Sequence, residues 1–469
     1  MVPIMIKIDR NDKDPIYLQI YRQFREQIIL GQLKTGERLP ATRALSEEYH
    51  LSRNTVLNAY QQLESEGFIR STIGSGFYVE ELPSFSLNTE EKSPLQKKMS
   101  NQGHYTYDFR YGALEPNLYR NTGFRRCLKE AMNELENRES LSNADPGGVY
   151  GLREAISAYL YEVRDMQVSP EQIFITGGHH YSISLLQKLL PEEFHTLYME
   201  DPGHEDSSDI FRQAGYAIKP VKVDDNGMII DQIGKAENAI AYVTPSHQFP
   251  LGAILPIGRR LQLLRWAKEY HNYIIEDDYD AELRYREQPI PSLFSLDRGE
   301  SVIYLGSFSK SLSPDLRISY VVLPDDLDYE KISRQILISS PASALIQLTI
   351  EKYIRSGLYR SRIAKMRNLL RKKHNRIISF LHEDYGNRIR IYGIGGGTHF
   401  VLSLPTESSQ EEILAHFHER GIAIYPTKDY FHDRDKAPEN MILIGYSGIP
   451  LQKLDEYLLY LKEAIDTLI

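Results

Sequence analysis

The segment SVIYLGSFSKSLSPDLRISY, residues 301–320, decides the fold of most of this chain. It begins as a short apolar run, breaks at Gly306, and continues into serines that flank Lys310. A short apolar run bounded by glycine is typical of a buried strand. Arg317 follows seven residues after Lys310. The segment therefore predicts a strand whose carboxyl end carries a lysine, with an arginine close behind it.

Four other apolar runs also end in polar or glycine-rich residues. They are EQIFITGGHHYS (171–182), HTLYMEDPGHED (195–206), NAIAYVTPSHQFPLG (238–252) and HNYIIEDDYDAE (271–282). Apolar strands that alternate with helical stretches predict an α/β fold, with a mostly parallel sheet and helices on both faces. We expect a smaller C-terminal α/β subdomain from about residue 335. Because ligands bind at the carboxyl ends of such strands, these ends should meet in one crevice.

The residues predicted at this crevice share one chemistry. They are Gly178, His179, His204, His247, Asp277, Tyr279, Ser307, Ser309 and Lys310. A lysine can form a Schiff base with an aldehyde, and a carboxylate can pair with a protonated pyridine nitrogen. A tyrosine can hydrogen-bond the 3-hydroxyl of such a ring. Backbone N–H groups at a helix start and the Arg317 guanidinium can hold a phosphate. Together these features predict a pyridoxal 5′-phosphate pocket.

Each residue also has a simpler interpretation on its own. Lys310 can be a surface lysine, Asp277 a helix N-cap, and His179 a polar residue at a helix entry. The acidic run 276–280 lacks the spacing and the glycine of a calcium-binding loop, so we predict no metal site. The occurrence of all these residues in order, at successive strand ends, favours the cofactor pocket.

Residues 1–80 predict a different unit, with three helical patterns followed by a hairpin. Thr42 is a candidate N-cap of a short helix, and Ser52 caps a second one that runs from Arg53 to about Glu66. The stretch FIRSTIGSGFYVEE, residues 68–81, predicts strand, turn and strand. This order is typical of a winged helix-turn-helix.

The side chains of this unit suit double-stranded DNA. A helix whose N-terminus enters the major groove can contact bases and phosphates through its first turn. The candidate DNA-binding residues are Arg43, Ser52, Arg53, Asn54 and Thr55, with Gly74 and Gly76 in the wing. A protein-interaction module with a polar surface is the alternative.

The distribution of charge along the chain of 469 residues supports two domains with different functions. Residues 1–80 carry ten basic and ten acidic side chains, so the net charge of −9 lies in residues 81–469. The polar segment 81–105 predicts a linker, and residues 106–469 form the second domain. No apolar run approaches the roughly 18 residues of a membrane helix. A single cysteine, Cys127, and early acidic residues predict a cytoplasmic chain without a signal peptide.

Two stretches resemble known families. LPATRALSEEYHLSRNTVLNAYQQLESEGFI (39–69) resembles the GntR-type winged helix, and the likeness extends over residues 15–79. SFSKSLSPDLRISY (307–320), IIEDDYDAEL (274–283) and TPSHQFPLG (244–252) are similar to motifs of fold-type I aminotransferases, a likeness that covers about 108–469. A GntR-type head joined to such a domain is the architecture of the MocR/GabR regulators.

The resemblance implies a transcriptional regulator that binds promoter DNA and a small-molecule effector. It implies a head-to-tail homodimer and a cofactor attached to Lys310, with Asp277 on the ring nitrogen and Tyr279 near the 3-hydroxyl. Ser307, Ser309 and Arg317 would surround the phosphate. Two alternatives stay open: an active aminotransferase that carries a DNA-binding head, and a degenerate domain that serves only for dimerisation.

The sequence departs from this family where GabR-like sensors hold the effector carboxylate with two arginines. Asp206 stands in place of one and Gly448 in place of the other, while His204 replaces the usual aromatic ring. A carboxylate near Asp206 would be repelled. We therefore expect either that the cofactor itself is sensed, as in PdxR-type relatives, or that an amine pairs with Asp206 or Glu205.

Overall fold

The structure is a computed structural model that describes most of the chain. The described residues are 6–10, 12–72, 74–81, 105–115, 120–137, 145–280, 282–285, 291–327, 334 and 342–469. The chain divides into two compact units, Met1–Gln102 and Gly103–Ile469. The predicted linker, apart from its end residues 81 and 105, lies outside the described residues. Within the described segments, no helix is both long enough and apolar enough to cross a membrane.

The first unit contains three helices and a two-stranded antiparallel hairpin. Its elements are α1 (Ile16–Ile29), α2 (Thr42–Glu48), α3 (Arg53–Ser65), β1 (Ile69–Thr72) and β2 (Gly76–Val79). The predicted winged helix-turn-helix is therefore confirmed. Its core includes Phe24 and Tyr60, whose rings meet edge to face at 5.5 Å.

Two helix ends of this unit test the predicted caps. The Ser52 side chain accepts a hydrogen bond from the Thr55 N–H at 3.1 Å, as predicted for the start of α3. Thr42 is wrong as an N-cap, because it is the first residue of α2 and Ala41 occupies the cap position without a side-chain bond. Helix α3 ends at Ser65, one residue earlier than predicted.

The second unit is built around a large mixed sheet and a smaller one. Its strands are β3 (Tyr107–Asp108), β4 (Ile173–Thr176), β5 (Thr196–Asp201), β6 (Ala217–Asp224), β7 (Gly227–Met228), β8 (Ala239–Val243), β9 (Tyr273–Asp277), β10 (Val302–Ser307), β11 (Ser319–Val322), β12 (Arg390–Tyr392), β13 (His399–Ser403), β14 (Ile422–Ala423), β15 (Tyr425–Pro426) and β16 (Met441–Gly445). The described helices are α4 (Thr122–Glu136), α5 (Tyr150–Arg164), α6 (His179–Leu189), α7 (Glu205–Gln213), α8 (Ile257–Glu269), α9 (Leu293–Asp297), α10 (Ala344–Arg355), α11 (Leu358–Tyr385), α12 (Gln410–Glu419) and α13 (Leu454–Asp466).

The large sheet has the strand order β4-β11-β10-β9-β8-β5-β6-β7. The strands from β10 to β6 in this order are parallel to their neighbours, whereas β11, β4 and β7 join antiparallel. Successive residues of a strand face opposite sides. Ile173 and Ile175 accordingly belong to one apolar cluster and Phe174 to another. The predicted α/β class, with a mostly parallel sheet covered on both faces, is confirmed.

The smaller sheet has the order β12-β13-β16-β15 and is antiparallel throughout. It shares a separate apolar cluster with α11, α12 and α13. The first strand of this unit, β3, pairs in parallel with β14. This arrangement fits the predicted C-terminal subdomain, of which residues 335–341 lie outside the described part.

Candidate cofactor and effector site

A cavity of about 660 Å³ lies at the carboxyl ends of β5, β9 and β10. It is lined by Tyr111, His179, His180, His204, Glu205, Asp206, Asp209, Phe249, Asp277, Tyr279, Ser307, Ser309, Lys310, Pro314, Arg317, Asp429, Tyr430 and Arg434. The strand ends therefore do meet in one crevice. Two predicted residues do not line it. Gly178 supports the Arg317 side chain, and His247 lies behind Tyr279.

Lys310 has a neutral aromatic neighbour. Its Nζ lies 3.8 Å from the centroid of the Tyr111 ring. A Cβ on the adjacent Gly112 would stand 3.1 Å from Nζ, so the glycine leaves room for the amine. Burial lowers the pKa of Lys310 to about 8, and the nearby negative charge of Asp280 opposes this effect. An amine with this pKa is roughly one-tenth unprotonated at pH 7 and half unprotonated near pH 8, a far larger neutral fraction than that of an ordinary lysine.

This environment gives a pH prediction. Only the neutral amine attacks an aldehyde, so we expect covalent uptake of pyridoxal 5′-phosphate to accelerate about tenfold per unit below about pH 8. Above about pH 8 the rate should level off, because Lys310 is then mostly neutral. Stopped-flow absorbance of the cofactor-free chain measures this. A rate that keeps rising to about pH 10, as for an ordinary lysine, would contradict the lowered pKa.

Asp277 ends β9 as a buried carboxylate. It accepts a hydrogen bond from the Tyr242 hydroxyl at 2.5 Å, and His179 Nε2 lies 3.6 Å from it. Burial raises the pKa of Asp277, while the His179 imidazole and the Tyr242 hydrogen bond act in the opposite direction. A buried carboxylate is stabilised by a cation. Asp277 therefore suits a protonated ring nitrogen.

His204 forms part of the wall close to Asp277. Its ring stacks on Phe249, with centroids 4.1 Å apart and planes 10° from parallel. Burial lowers the pKa of His204 well below its usual value, so the imidazole stays neutral. Its Nε2 is buried and, among the described residues, has no hydrogen-bond partner. His204 therefore gives the cavity wall a flat ring and a buried nitrogen without a hydrogen-bond partner among the described residues.

The opposite end of the cavity suits a phosphate. Gly178 precedes α6 with φ +102°, and a Cβ there would stand 3.3 Å from the Arg317 guanidinium. Within the described part of the chain, no carboxylate pairs with Arg317. Ser307 accepts a hydrogen bond from the Ser309 N–H at 3.1 Å, so two hydroxyls lie on the same turn. The hydroxyls, the guanidinium and the N-terminus of α6 form an anion cradle.

The rim of the cavity contains residues that sequence reasoning missed. We call residues 427–437, which follow β15, the rim loop. Arg434 of this loop lies 2.9 Å from Glu205 and 3.3 Å from Asp429. Asp206 is four-fifths exposed, and its ionisable neighbour is His180, 3.4 Å away. Gly448 does not line the cavity, and a Cβ at this position would stand 2.9 Å from the Cβ of Ala113.

In the first unit, the predicted DNA-binding residues lie at the surface. Arg53 and Asn54 are exposed at the start of α3, and Thr55 is half-buried. Arg43, on α2, is exposed and lies 2.9 Å from Glu47. The wing glycines Gly74 and Gly76 have φ +76° and +114°, which favour glycine.

Comparisons with known families and structures agree with this geometry. The family "bacterial regulatory proteins, gntR family" matches residues 16–79, and "aminotransferase class I and II" matches residues 114–429. LysN, an α-aminoadipate aminotransferase from Thermus thermophilus, superposes with a TM-score of 0.67 at 25% identity, covering 77% of this chain and 92% of that one. An archaeal alanine:glyoxylate aminotransferase gives 0.68 at 24%, covering 79% and 92%.

Similar proteins extend over nearly the whole chain. The HTH-type transcriptional regulator YdeL of Bacillus subtilis (strain 168) is 34% identical over 96% of both chains. The probable rhizopine catabolism regulatory protein MocR of Rhizobium meliloti is 27% identical, covering 98% of this chain and 96% of that one. The pyridoxine biosynthesis regulator PdxR of Corynebacterium glutamicum is 26% identical, covering 96% and 95%.

The fold and the site thus define a transcriptional regulator with a pyridoxal 5′-phosphate-dependent, aminotransferase-like domain. The chain belongs to the MocR-type HTH regulators, in which a GntR head precedes an aminotransferase class I and II domain. The predicted resemblance and cofactor are confirmed. The residues present also fit the cofactor: a lysine that forms no ion pair in the described part, a buried carboxylate, a buried imidazole nitrogen without a hydrogen-bond partner there, and an anion cradle.

Proposed function

We propose that this regulator is a cytoplasmic homodimer that binds an amine effector in the Lys310 cavity. Effector binding changes its affinity for promoter DNA. The observation that carries the proposal is the composition of the cavity, which combines the features of a cofactor site with an acidic rim. A homodimer fits a winged-helix head, because paired heads read two half-sites.

We assign the cofactor contacts to the chain's own residues as follows. Lys310 is the attachment point, and Asp277 faces the ring nitrogen. Tyr279 faces the 3-hydroxyl, and Arg317 holds the phosphate together with Ser307, Ser309 and the N–H groups that follow Gly178. His204, which lines the same cavity, would contact the ring. When bound, pyridoxal 5′-phosphate supplies an electrophilic carbon that amines attack.

The charges left over after this assignment favour an amine effector. Arg434 forms ion pairs with Glu205 and Asp429. Asp209 forms an ion pair with Arg212, and neither residue is assigned to the cofactor. Among the described residues, no lysine or arginine pairs with Asp206. A cationic group near Asp206 would meet an uncompensated carboxylate, whereas a carboxylate would be repelled.

The rim loop offers a route from the effector to the rest of the domain. The Gly203 N–H donates to the Tyr430 carbonyl at 2.8 Å, and the His432 N–H donates to Asp201 Oδ1 at 2.9 Å. These bonds, with the Arg434–Glu205 pair, join the loop before β16 to the turn after β5. An effector that competes for Glu205 would weaken this connection. It would shift the domain's equilibrium by its difference in affinity for the two states.

An effector screen monitored by absorption tests the proposal. Primary amines, diamines, amino acids and the cofactor alone are titrated against the visible band of the loaded chain, and binding to DNA upstream of its own gene is followed in parallel. We expect amines to change both signals. Conversion of the band at low concentration by γ-aminobutyrate, whose carboxylate should be repelled by Asp206, but not by amines that lack a carboxylate would contradict the amine assignment. Many turnovers to keto acid or aldehyde would instead favour an active aminotransferase.

Asp206→Asn provides a sharper prediction. The substitution removes an exposed negative charge, so the half-saturating concentration of a diamine such as 1,4-diaminobutane should rise roughly two- to fivefold. Asp209→Asn is the matched control, because Asp209 lines the same cavity but pairs with Arg212. Equal responses of the two variants to the diamine would exclude a specific role for Asp206.

A further inference from the structure

Three buried polar side chains form a connected group behind the cavity wall. His247 Nδ1 lies 3.1 Å from the hydroxyl oxygen of Tyr279 and 2.9 Å from Asp280 Oδ2. All three side chains are buried, yet Tyr279 also lines the cavity. Tyr279 is therefore the member of the group that can contact a ligand in the cavity. His247 and Asp280 lie on the side of Tyr279 that faces away from the cavity.

The geometry determines which atom carries the shared proton. A carboxylate only accepts hydrogen bonds, so Asp280 requires a proton on His247 Nδ1. A bare Nδ1 would set two lone pairs against each other at 2.9 Å. With Nδ1 protonated, the Tyr279 hydroxyl cannot donate to the imidazole. Burial raises the pKa of Tyr279 well above its usual value, so the hydroxyl keeps its own proton.

The other imidazole nitrogen supports the same state. His247 Nε2 is buried and has no hydrogen-bond partner among the described residues. A Cβ on Gly252 would stand 2.8 Å from Nε2, and one on Gly397 would stand 2.3 Å from Cε1. The two glycines thus form a slot that holds the ring in place. A proton on Nε2 would be buried without an acceptor, which is unfavourable. The geometry therefore favours the tautomer with the proton on Nδ1.

We propose that Asp280 and His247 are positioning residues that fix the Tyr279 hydroxyl as a hydrogen-bond donor into the cavity, onto the 3-oxygen of the cofactor. This inference rests on the cofactor assignment of the proposed function. Because a donated hydrogen bond stabilises an anionic oxygen, the pair favours the deprotonated form of the bound cofactor. Without His247, the Tyr279 hydroxyl can turn to the Asp280 carboxylate instead.

Other ionisable groups lie near His247, Tyr279 and Asp280, and the test substitutes none of them. They are Tyr111, Glu200, His204, Asp277, Lys310 and His399. Asp280 also raises the pKa of Lys310 through its charge, so its removal would alter two properties at once. Substitutions at His247 avoid this ambiguity, because they leave every carboxylate in place.

The test is a pH titration of the visible band of the cofactor-loaded, full-length chain. In His247→Leu and His247→Phe we expect the pKa of the bound cofactor to rise by about one unit, the effect of losing one hydrogen bond to a charged group. His247→Asn keeps an N–H near the position of Nδ1. In this variant the cofactor pKa should therefore rise by less than half as much as in His247→Leu. Tyr279→Phe should give the same rise, and the Tyr279→Phe/His247→Leu double variant should show no further rise.

Each outcome of this titration supports or overturns the inference. An unchanged pKa in His247→Leu and His247→Phe, beside a shifted one in Tyr279→Phe, would overturn it. So would additive shifts in the double variant. If the His247→Leu and His247→Phe variants fail to fold, His247→Asn decides. A cofactor pKa raised as far in His247→Asn as in Tyr279→Phe would overturn the inference. A rise less than half as large would support it. A wild-type chain without a band would overturn the cofactor site itself, a result distinct from all of these.

Discussion

Lys310→Ala is expected to abolish covalent binding of pyridoxal 5′-phosphate completely. Among the described residues that line the cavity, Lys310 carries the only amine that can form an imine with the aldehyde, while the phosphate cradle and Asp277 remain in the variant. The visible band should be lost, and borohydride reduction followed by mass spectrometry should recover no cofactor adduct. Lys268→Ala is the matched control, because Lys268 is an exposed lysine of the same domain that pairs with Glu300.

A trapped adduct in Lys310→Ala, or loss of the band in Lys268→Ala, would count against the assignment of the attachment point. A persistent band in Lys310→Ala that also yields a borohydride-trapped adduct would point to a second reactive amine. The pH dependence of uptake provides an independent check, since the lowered pKa belongs to Lys310 and not to an exposed lysine.

Arg53→Ala should have the second largest effect, on specific DNA binding. Arg53 is exposed in the first turn of α3, where a recognition helix contacts base edges. Loss of an arginine–base contact costs about 1–3 kcal/mol, which corresponds to roughly a 5- to 150-fold weaker affinity. Fluorescence anisotropy with DNA from upstream of the gene measures this effect.

Arg22→Ala is the control for Arg53→Ala, because Arg22 lies on α1 and pairs with Asp14. Both variants should keep the visible band of the cofactor, since neither residue belongs to the second unit. Full DNA affinity in Arg53→Ala would mean that α3 is not the recognition helix. An equal loss in both variants would indicate a general effect of charge instead of a base contact.

The central part of the site could be predicted from sequence because each residue follows its own strand. Asp277 ends one apolar run and Lys310 follows another by three residues, and the parallel arrangement brings the ends of β9 and β10 together. The order of the strands was not readable in the same way. Strand β11 inserts antiparallel between β10 and β4, a pairing that depends on tertiary packing.

The rim of the site could not be predicted, because its residues come from distant segments without a local signal. Arg434 and Tyr430 lie in a loop beside the smaller sheet, and only the folded chain brings them to the turn after β5. His247 was expected in the crevice because it also follows a strand. It lies one layer deeper, where Asp280 and two glycines hold its ring.

The most direct test of the account compares the DNA affinity of the full-length chain in its cofactor-free, cofactor-loaded and amine-treated forms. Anisotropy titrations at fixed salt, with Lys310→Ala measured in parallel, provide all the values. If the Lys310 cavity controls the DNA-binding head, at least one addition should change the wild-type affinity about fivefold or more and leave Lys310→Ala unchanged. Equal wild-type affinity in every form, or the same change in Lys310→Ala, would contradict that control.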